Sequence, residues 1–303
     1  MKFPASELIL NDDGSIYHLH LHPEQISDLI ITVGDPDRVG RVSRHFDRID
    51  TKVNKREFVT HTGELGGRRM TVISTGIGTD NIDIVFNELD ALARIDLQKR
   101  DLLDQQRSLT FVRLGTSGAL QADLELDSFL LSSYGLGLDG LMAFYDFSWP
   151  EQSQNLLNHL ETQLAVQGLA FPLKPYLAPA SDQLLAHFAG PESQQGITLT
   201  ATGFYGPQAR QIRLKSKMTE TLLQAVVNWE AKTPSSGSFP GPLRVTNFEM
   251  ETAGIYGLAH ALGHRALSVS ALLANRPNGT FSETPGPTVD RLIEWALAKL
   301  QSL

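Results

Sequence analysis

Hydrophobic and polar positions follow two rhythms along this chain. Six short apolar runs, at residues 29–33, 70–74, 109–114, 128–133, 197–201 and 266–273, have the length, the branched side chains and the flanking glycines of buried strands. Stretches of helical spacing separate many of them. In 81–94 the apolar positions Ile82, Val85, Phe86, Leu89 and Leu92 form one stripe, and 151–164 and 289–300 also read as helices. Strands alternating with helices predict an α/β fold: a single domain over 1–303 with three αβα layers around a central mixed, mainly parallel sheet. The intervening helices disfavour a barrel or sandwich, which the strands alone would fit. Residues 99–107 read as a charged helix extension or loop, and 233–242, rich in Ser, Pro and Gly, as a mobile surface loop.

Five of the six predicted strands lead into a loop with distinctive chemistry. These are Gly34-Asp35-Pro36-Asp37-Arg38, Thr75-Gly76-Ile77-Gly78, Gly115-Thr116-Ser117-Gly118, Thr202-Gly203-Phe204-Tyr205 and Asn275-Arg276-Pro277. Ligands of open α/β sheets bind at the carboxyl ends of the strands, so these loops are expected to line one site. The second resembles a phosphate-cradling loop in outline. It lacks the Gly-x-Gly-x-x-Gly spacing and the Lys-Ser/Thr of a P-loop, which excludes nucleoside triphosphates and dinucleotides.

Composition narrows the reading further. With 41% hydrophobic and 20% charged residues and a formal net charge of -8, the chain is an ordinary acidic globular protein. Its cations are scattered, which disfavours nucleic acid or a membrane surface as partner, and any bound anion must meet local positive charge in a cleft. There is no Cys, hence no disulfide and no thiolate nucleophile. A start without an apolar signal core and the absence of a membrane-length run predict a cytoplasmic protein. His18, His20 and His22 alternate and would share one face of a strand as a metal pair. No further ligand cluster accompanies them, so a structural role is preferred and no metal is expected.

Three clusters carry candidate chemistry. Arg113 interrupts the apolar run 109–114, where it either forms an internal salt bridge or points from the sheet edge at an anion, with Gly115 and Thr116 as further donors. Arg38, after the Gly34 turn, offers a second charge for the same anion. Glu249, Met250 and Glu251 stand at the start of an apolar, small-residue stretch; they are either ordinary helix-start acids or a carboxylate grip for sugar hydroxyls. Phe204, Gln208 and Arg210 supply an aromatic face, an amide and a guanidinium, the set needed by a planar heterocycle; alternatively they form a surface turn.

Taken together, these segments resemble the nucleoside phosphorylase family, in which purine nucleoside and uridine phosphorylases are grouped, and stand closest to its uridine phosphorylase branch. The likeness runs from about Tyr17 to the C-terminus. It is carried by Gly34 to Arg38, by Lys55-Arg56-Glu57-Phe58, by Arg113-Leu114-Gly115-Thr116-Ser117-Gly118, by Phe248-Glu249-Met250-Glu251-Thr252, by Asn275-Arg276 and, most specifically, by the Phe-Tyr-x-x-Gln-x-Arg pattern at Phe204, Tyr205, Gln208 and Arg210. The resemblance implies phosphorolysis of a pyrimidine nucleoside, most readily uridine, with inorganic phosphate as co-substrate and no cofactor. It implies that Gly34, Arg38, Arg56, Arg113 and Thr116 bind phosphate; that His18, Glu249, Met250 and Glu251 bind ribose; and that Phe204, Gln208, Arg210 and Arg276 bind the base. Arg38, Arg113 and Glu251 would be the catalytic members. His18 and Arg56 would come from a neighbouring subunit, making a homodimer, alone or in a trimer of dimers, the smallest active unit. The alternatives are a purine nucleoside phosphorylase or nucleoside hydrolase on the same fold, or a non-catalytic nucleoside-binding protein. Two departures from the family pattern stand out: Gly78-Thr79-Asp80-Asn81 replaces the usual Gly-x-Pro-Ser, and Gly206-Pro207 reverses the commoner order.

Overall fold

A computed structural model describes residues 2–232 and 241–303. Strand β1 (Leu29–Val33) leads into α1 (Pro36–Ser43), and β2 (Arg48–Lys55), β3 (Phe58–Leu65) and β4 (Arg68–Ser74) form a meander before α2 (Thr79–Arg94). A short hairpin of β5 (Ile95–Asp96) and β6 (Asp101–Leu102) precedes β7 (Thr110–Ala119) and β8 (Phe129–Leu138). There follow α3 (Glu151–Val166), β9 (Tyr176–Pro179), α4 (Asp182–Phe188), β10 (Ser193–Ala201), α5 (Glu220–Val227) and β11 (Glu230–Ala231). The chain ends with β12 (Leu243–Glu249), α6 (Thr252–Ala261), β13 (Arg265–Asn275), β14 (Thr280–Phe281) and α7 (Pro285–Gln301).

The expected α/β class is observed, a large mixed sheet flanked by helices. All five residues of β1 are buried, and Ile82, Val85, Phe86, Leu89 and Leu92 of α2 are buried as their stripe predicts. The main sheet runs β11-β12-β10-β8-β13-β7-β1-β4-β3-β2. Pairing is parallel through β4, β1, β7 and β13, and parallel again through β8, β10 and β12. The two parallel halves run in opposite senses, because β8 pairs antiparallel with β13.

One further pairing decides where the site can be. β12 returns to β7, antiparallel, with Phe248 opposite Gly118 and Asn247 opposite Ala119, so that β12, β10, β8, β13 and β7 close into a ring. Helical crossovers disfavour a simple barrel, yet they leave this local closure open. Since β7 and β12 touch only near their last residues, the carboxyl ends of both opposed halves arrive at one place.

Several boundaries differ from the sequence expectation. Residues 115–118, expected in a loop, continue β7, and residues 99–107 contain β6 instead of extending a helix. The β2–β3 hairpin escaped detection because β2 alternates exposed and half-buried residues, with no apolar run. The expected loop at 233–242 lies, but for its last two residues, outside the described residues. His18, His20 and His22 do not share a strand face: His20 has a left-handed backbone (φ 56°) and its ring meets Asp13 at 2.9 Å, whereas His18 meets Glu88 at 2.6 Å.

Helix α6 is buried from Thr252 to Ala259 and lies directly on β8. Glycine makes that approach possible. A Cβ on Gly135 would stand 2.6 Å from Ala253 Cα and 2.8 Å from its nitrogen, both backbone atoms that cannot swing away. Gly135→Ala is therefore expected to cost about 1–3 kcal/mol by overpacking. In denaturant unfolding, the midpoint should fall at unchanged slope; an unchanged midpoint would mean that α6 has room to move.

Candidate active site

At the meeting of strand ends the molecule has a cavity of about 980 Å³, whose walls include Gly34, Arg38, Glu57, Asn81, Arg113, Thr116, Ser117, Phe204, Gln208, Arg210, Phe248, Glu249, Met250, Glu251 and Phe281. Three helices begin there: Asp35 caps α1 by accepting from the Asp37 amide at 3.0 Å, Gly78 precedes α2, and Glu251 precedes α6. The helix dipoles thus add partial positive charge at the cavity rim.

Arg113 is the centre of the cluster. Its backbone lies between Thr32 of β1 and Ser268 of β13, and its side chain is only 5% exposed. The guanidinium folds back along β7 over Gly115, where a Cβ would come within 1.9 Å of Nη1; this is why no side chain is tolerated at that residue. Nη2 reaches Glu251 Oε2 at 2.6 Å and Glu249 Oε2 at 3.1 Å, and Nη1 lies 3.4 Å from both Ser268 Oγ and Ser270 Oγ. The internal salt bridge, one of the two readings of the sequence, is therefore present. Arg113 also lines the cavity.

One cation serves two acids, each with its own donors. Glu249 accepts the Glu251 and Thr252 amides at 2.9 and 3.0 Å and the Thr200 hydroxyl at 2.6 Å, a donor set that meets both of its oxygens. Glu251 accepts the Gly78 amide at 2.8 Å and Arg113. Burial pushes its carboxyl above the ordinary range, Arg113 opposes this, and neighbouring Glu249 adds to the rise. Burial works against the Arg113 charge too, but the two carboxylates outweigh it and hold Arg113 above the usual arginine value. Neither acid is an ordinary residue of a helix first turn: Glu249 ends β12, and Glu251 is the residue before α6.

Arg38 stands opposite. It sits in the first turn of α1, donates from Nη1 to the Leu114 carbonyl at 3.2 Å, and keeps a buried Nε with no hydrogen-bond partner. Among the described residues no carboxylate lies within ion-pair distance of it. Burial, followed by the proximity of Arg113, holds its guanidinium below the usual arginine value. A buried, cavity-facing guanidinium with an unmatched N–H is a costly group in the absence of an acceptor.

The far wall carries Phe204, Gln208 and Arg210. Gln208 is 2% exposed and ends a short 3₁₀ turn of residues 206–208, and Arg210 lies 3.9 Å above the Phe204 ring while donating to the Phe204 carbonyl at 2.7 Å. Burial and then Arg276 hold Arg210 below the usual arginine value. Arg276 is expected at the base, yet it does not line the cavity: it donates to the Gln208 carbonyl at 2.9 Å and thereby fixes the loop that presents Gln208. Asn275 likewise holds the Gln121 and Leu124 carbonyls.

The cavity brings together Gly34, Arg38, Arg113, Thr116, Phe204, Gln208, Arg210, Glu249, Met250 and Glu251. His18 and Arg56 lie outside it. His18 is tied to Glu88, and Arg56 is exposed at the β2–β3 turn with φ 57°. Glu57, Asn81, Ser117 and Phe281 line the cavity without having been singled out. For Ser117 a signal existed: Arg113, Gly115 and Ser117 alternate along β7, as do Thr198 and Thr200, Asn247 and Glu249, and Ser268 and Ser270 on the neighbouring strands, a polar period of two inside otherwise apolar runs.

Residues 28–301 match the phosphorylase superfamily. The chain belongs to that superfamily. Among its phosphorylase relatives, the uridine phosphorylase of Thermococcus kodakarensis is 28% identical over 93% of this chain and 85% of its own length. That of Haemophilus influenzae is 27% identical over 95% and 99%. The structure of a Trypanosoma brucei nucleoside phosphorylase, which shows uridine phosphorylase activity, superposes with a TM-score of 0.84 over 98% of this chain and 100% of its own at 24% identity, a likeness of fold.

Removing the central cation of this phosphorylase site strands two buried acids. Arg113→Ala is expected to lose about 3–5 kcal/mol of stability. The loss should depend on pH. Burial already holds the Glu251 carboxyl above its ordinary range, and without Arg113 its folded-state value rises further, so the native state holds a proton that the unfolded state has released, and stability falls as pH climbs past the ordinary carboxylate range. Chemical unfolding should show a larger deficit at pH 8 than at pH 5; an equal deficit at both would place the cost in packing.

Proposed function

We propose that the chain is a pentosyltransferase that catalyses reversible phosphorolysis of uridine, yielding uracil and ribose 1-phosphate. The observation that carries this reading is Arg38, a cation whose Nε is buried without partner, facing the same cavity as the Arg113–Glu249–Glu251 cluster. The uridine phosphorylases among its relatives and the Gln208–Arg210 wall supply the substrate.

Phosphate is met by Arg38, Thr116, the Gly34 backbone and the start of α2, with Arg113 sharing its charge between the phosphate and the carboxylates. Glu251 and Glu249 hold the ribose hydroxyls, with Met250 against the sugar. A phosphate oxygen attacks C1' as the C1'–N1 bond breaks; the transition state has oxocarbenium character, and the adjacent anion stabilises it. The bond's electron pair passes into the pyrimidine ring and its carbonyl oxygens. Gln208 and Arg210 stabilise that charge, so no cofactor is called for.

His18 and Arg56, both outside the cavity, are assigned to the site of a second copy, which makes a homodimer the smallest active unit, alone or in a trimer of dimers. Ile77 and Phe144, 69% and 89% exposed, are apolar surface that such a partner would cover. Cytoplasmic location and a role in pyrimidine salvage complete the proposal; among the described residues no helix is long and apolar enough to cross a membrane.

Initial rates separate the alternatives. Uridine should be consumed only with phosphate present, with ribose 1-phosphate formed in equal amount, and cytidine should react slower by roughly 10⁴-fold because its edge leaves Gln208 unpaired; inosine, whose base is larger, should also react slower than uridine. Phosphate-independent consumption would indicate a hydrolase, and faster inosine cleavage a purine enzyme. Mixing inactive His18→Ala, Arg56→Ala chains with inactive Arg38→Ala chains should restore some activity. No recovery in demonstrated heterodimers would place the whole site within one chain.

A further inference from the structure

A chain of buried polar groups runs beside the cluster and ends at the cavity. Asn247 and Thr198 are fully buried, as is Ser132, and Ser117 is 8% exposed. The Ser132 and Thr198 hydroxyls lie 2.5 Å apart, Thr198 Oγ1 donates to Asn247 Oδ1 at 2.8 Å, and Asn247 Nδ2 donates to Ser117 Oγ at 2.8 Å. Each hydroxyl has one proton, which fixes the direction of the chain. Thr198 spends its proton on Asn247, so Ser132 donates to Thr198. The opposite orientation of the Asn247 amide would turn Thr198 toward Ser132 and leave the Ser132 proton without an acceptor in a sealed interior. Ser117 Oγ therefore accepts from Asn247. Its own proton has no acceptor among the described residues, and Ser117 is a wall of the cavity.

The position of that proton follows from β7. Arg113, with the two carboxylates of the ribose grip, folds over Gly115; Ser117 is the next residue on that face; and Gly118 lies beside Arg276, which holds Gln208. Ser117 thus stands between the groups assigned to the sugar and those assigned to the far edge of the base. The atoms between those ends are the ones flanking the glycosidic nitrogen: C2, which bears an oxygen, and C6, which bears a hydrogen. Only the C2 oxygen can accept.

We propose that Ser117 donates a hydrogen bond to the 2-carbonyl oxygen of the bound pyrimidine and stabilises the negative charge that gathers there as the C1'–N1 bond breaks, with Asn247 as the positioning residue that turns the hydroxyl toward the ligand. The inference rests on the uridine phosphorolysis reading. It adds a third donor to that reading, from the sheet and not from the loop that carries Gln208 and Arg210. A preset donor suits this task, because its buried partners prevent reorientation while charge develops.

The test compares uridine with 2-thiouridine, whose sulfur is a poorer acceptor, in wild type, Ser117→Ala and Ser117→Thr, each with phosphate present and its folding checked by thermal unfolding. Ser117→Ala should lower kcat/KM for uridine by about 100-fold, chiefly in kcat, with Ser117→Thr largely restoring it. The penalty for sulfur should be clear in wild type and nearly vanish in Ser117→Ala, since the donor that distinguishes oxygen from sulfur is gone. A Ser117→Ala rate within about threefold of wild type, or an undiminished sulfur penalty in that variant, would overturn the assignment. Failure of the wild type to cleave uridine at all would instead remove the reaction on which it rests.

Discussion

The site depends on one constraint: a single buried guanidinium has to balance two buried carboxylates. Arg113 comes from the middle of the sheet, whereas Glu249 and Glu251 come from the end of β12 and the start of α6. Unpaired, each would be among the most costly groups a protein can bury. Pairing them requires β7 and β12 to meet at their carboxyl ends, requires Gly115 to leave space for the guanidinium, and requires the Gly78 amide of the loop before α2 to take up the remaining Glu251 oxygen. Fold closure and site assembly are thus the same event. Two acids and one base leave local negative charge, and Arg38 across the cavity leaves positive charge without an acid. That separation suits a substrate pair made of a hydroxyl-bearing sugar and an anion.

The closed ring also explains why so many hydroxyls are buried. Thr198, Thr200, Asn247, Ser268 and Ser270 occupy strands that otherwise carry Leu, Ile, Val and Phe, and nearly all are fully buried. Thr252 joins Ser268 at 2.8 Å, and the Tyr256 hydroxyl bridges the Ser132 carbonyl at 2.6 Å and the Ser268 amide at 2.7 Å. This network gives Arg113 and Ser117 fixed neighbours, whereas a purely apolar packing would leave their polar atoms unmatched.

The strand and helix pattern was legible wherever burial was two-sided or the helical stripe was strong: β1 and α2 lie where the apolar spacing places them. Strand β2 was not legible, because an edge strand with polar residues carries no apolar run. The carboxyl-end loops were legible as a group, since the chemistry of Arg38, Thr116, Phe204, Gln208 and Glu249 to Glu251 does converge. What the one-dimensional pattern could not show was pairing. Arg113 had two readings in the sequence, and only the β7–β12 contact shows that the salt bridge forms; the hydrogen bond from Arg276 to the Gln208 carbonyl likewise had no signature in the sequence. His18 and Arg56 are recognisable by resemblance alone, as nothing in a single chain brings them to the cavity.

The account turns on the Arg38 side of the cavity being an anion site. Calorimetric titration of inorganic phosphate into the nucleoside-free protein examines that most directly. The account predicts saturable binding of one phosphate per chain, which weakens as salt rises and is abolished in an Arg38→Ala variant whose unfolding midpoint is preserved. Binding of equal strength in that variant, or no saturable binding to the native protein, would contradict it.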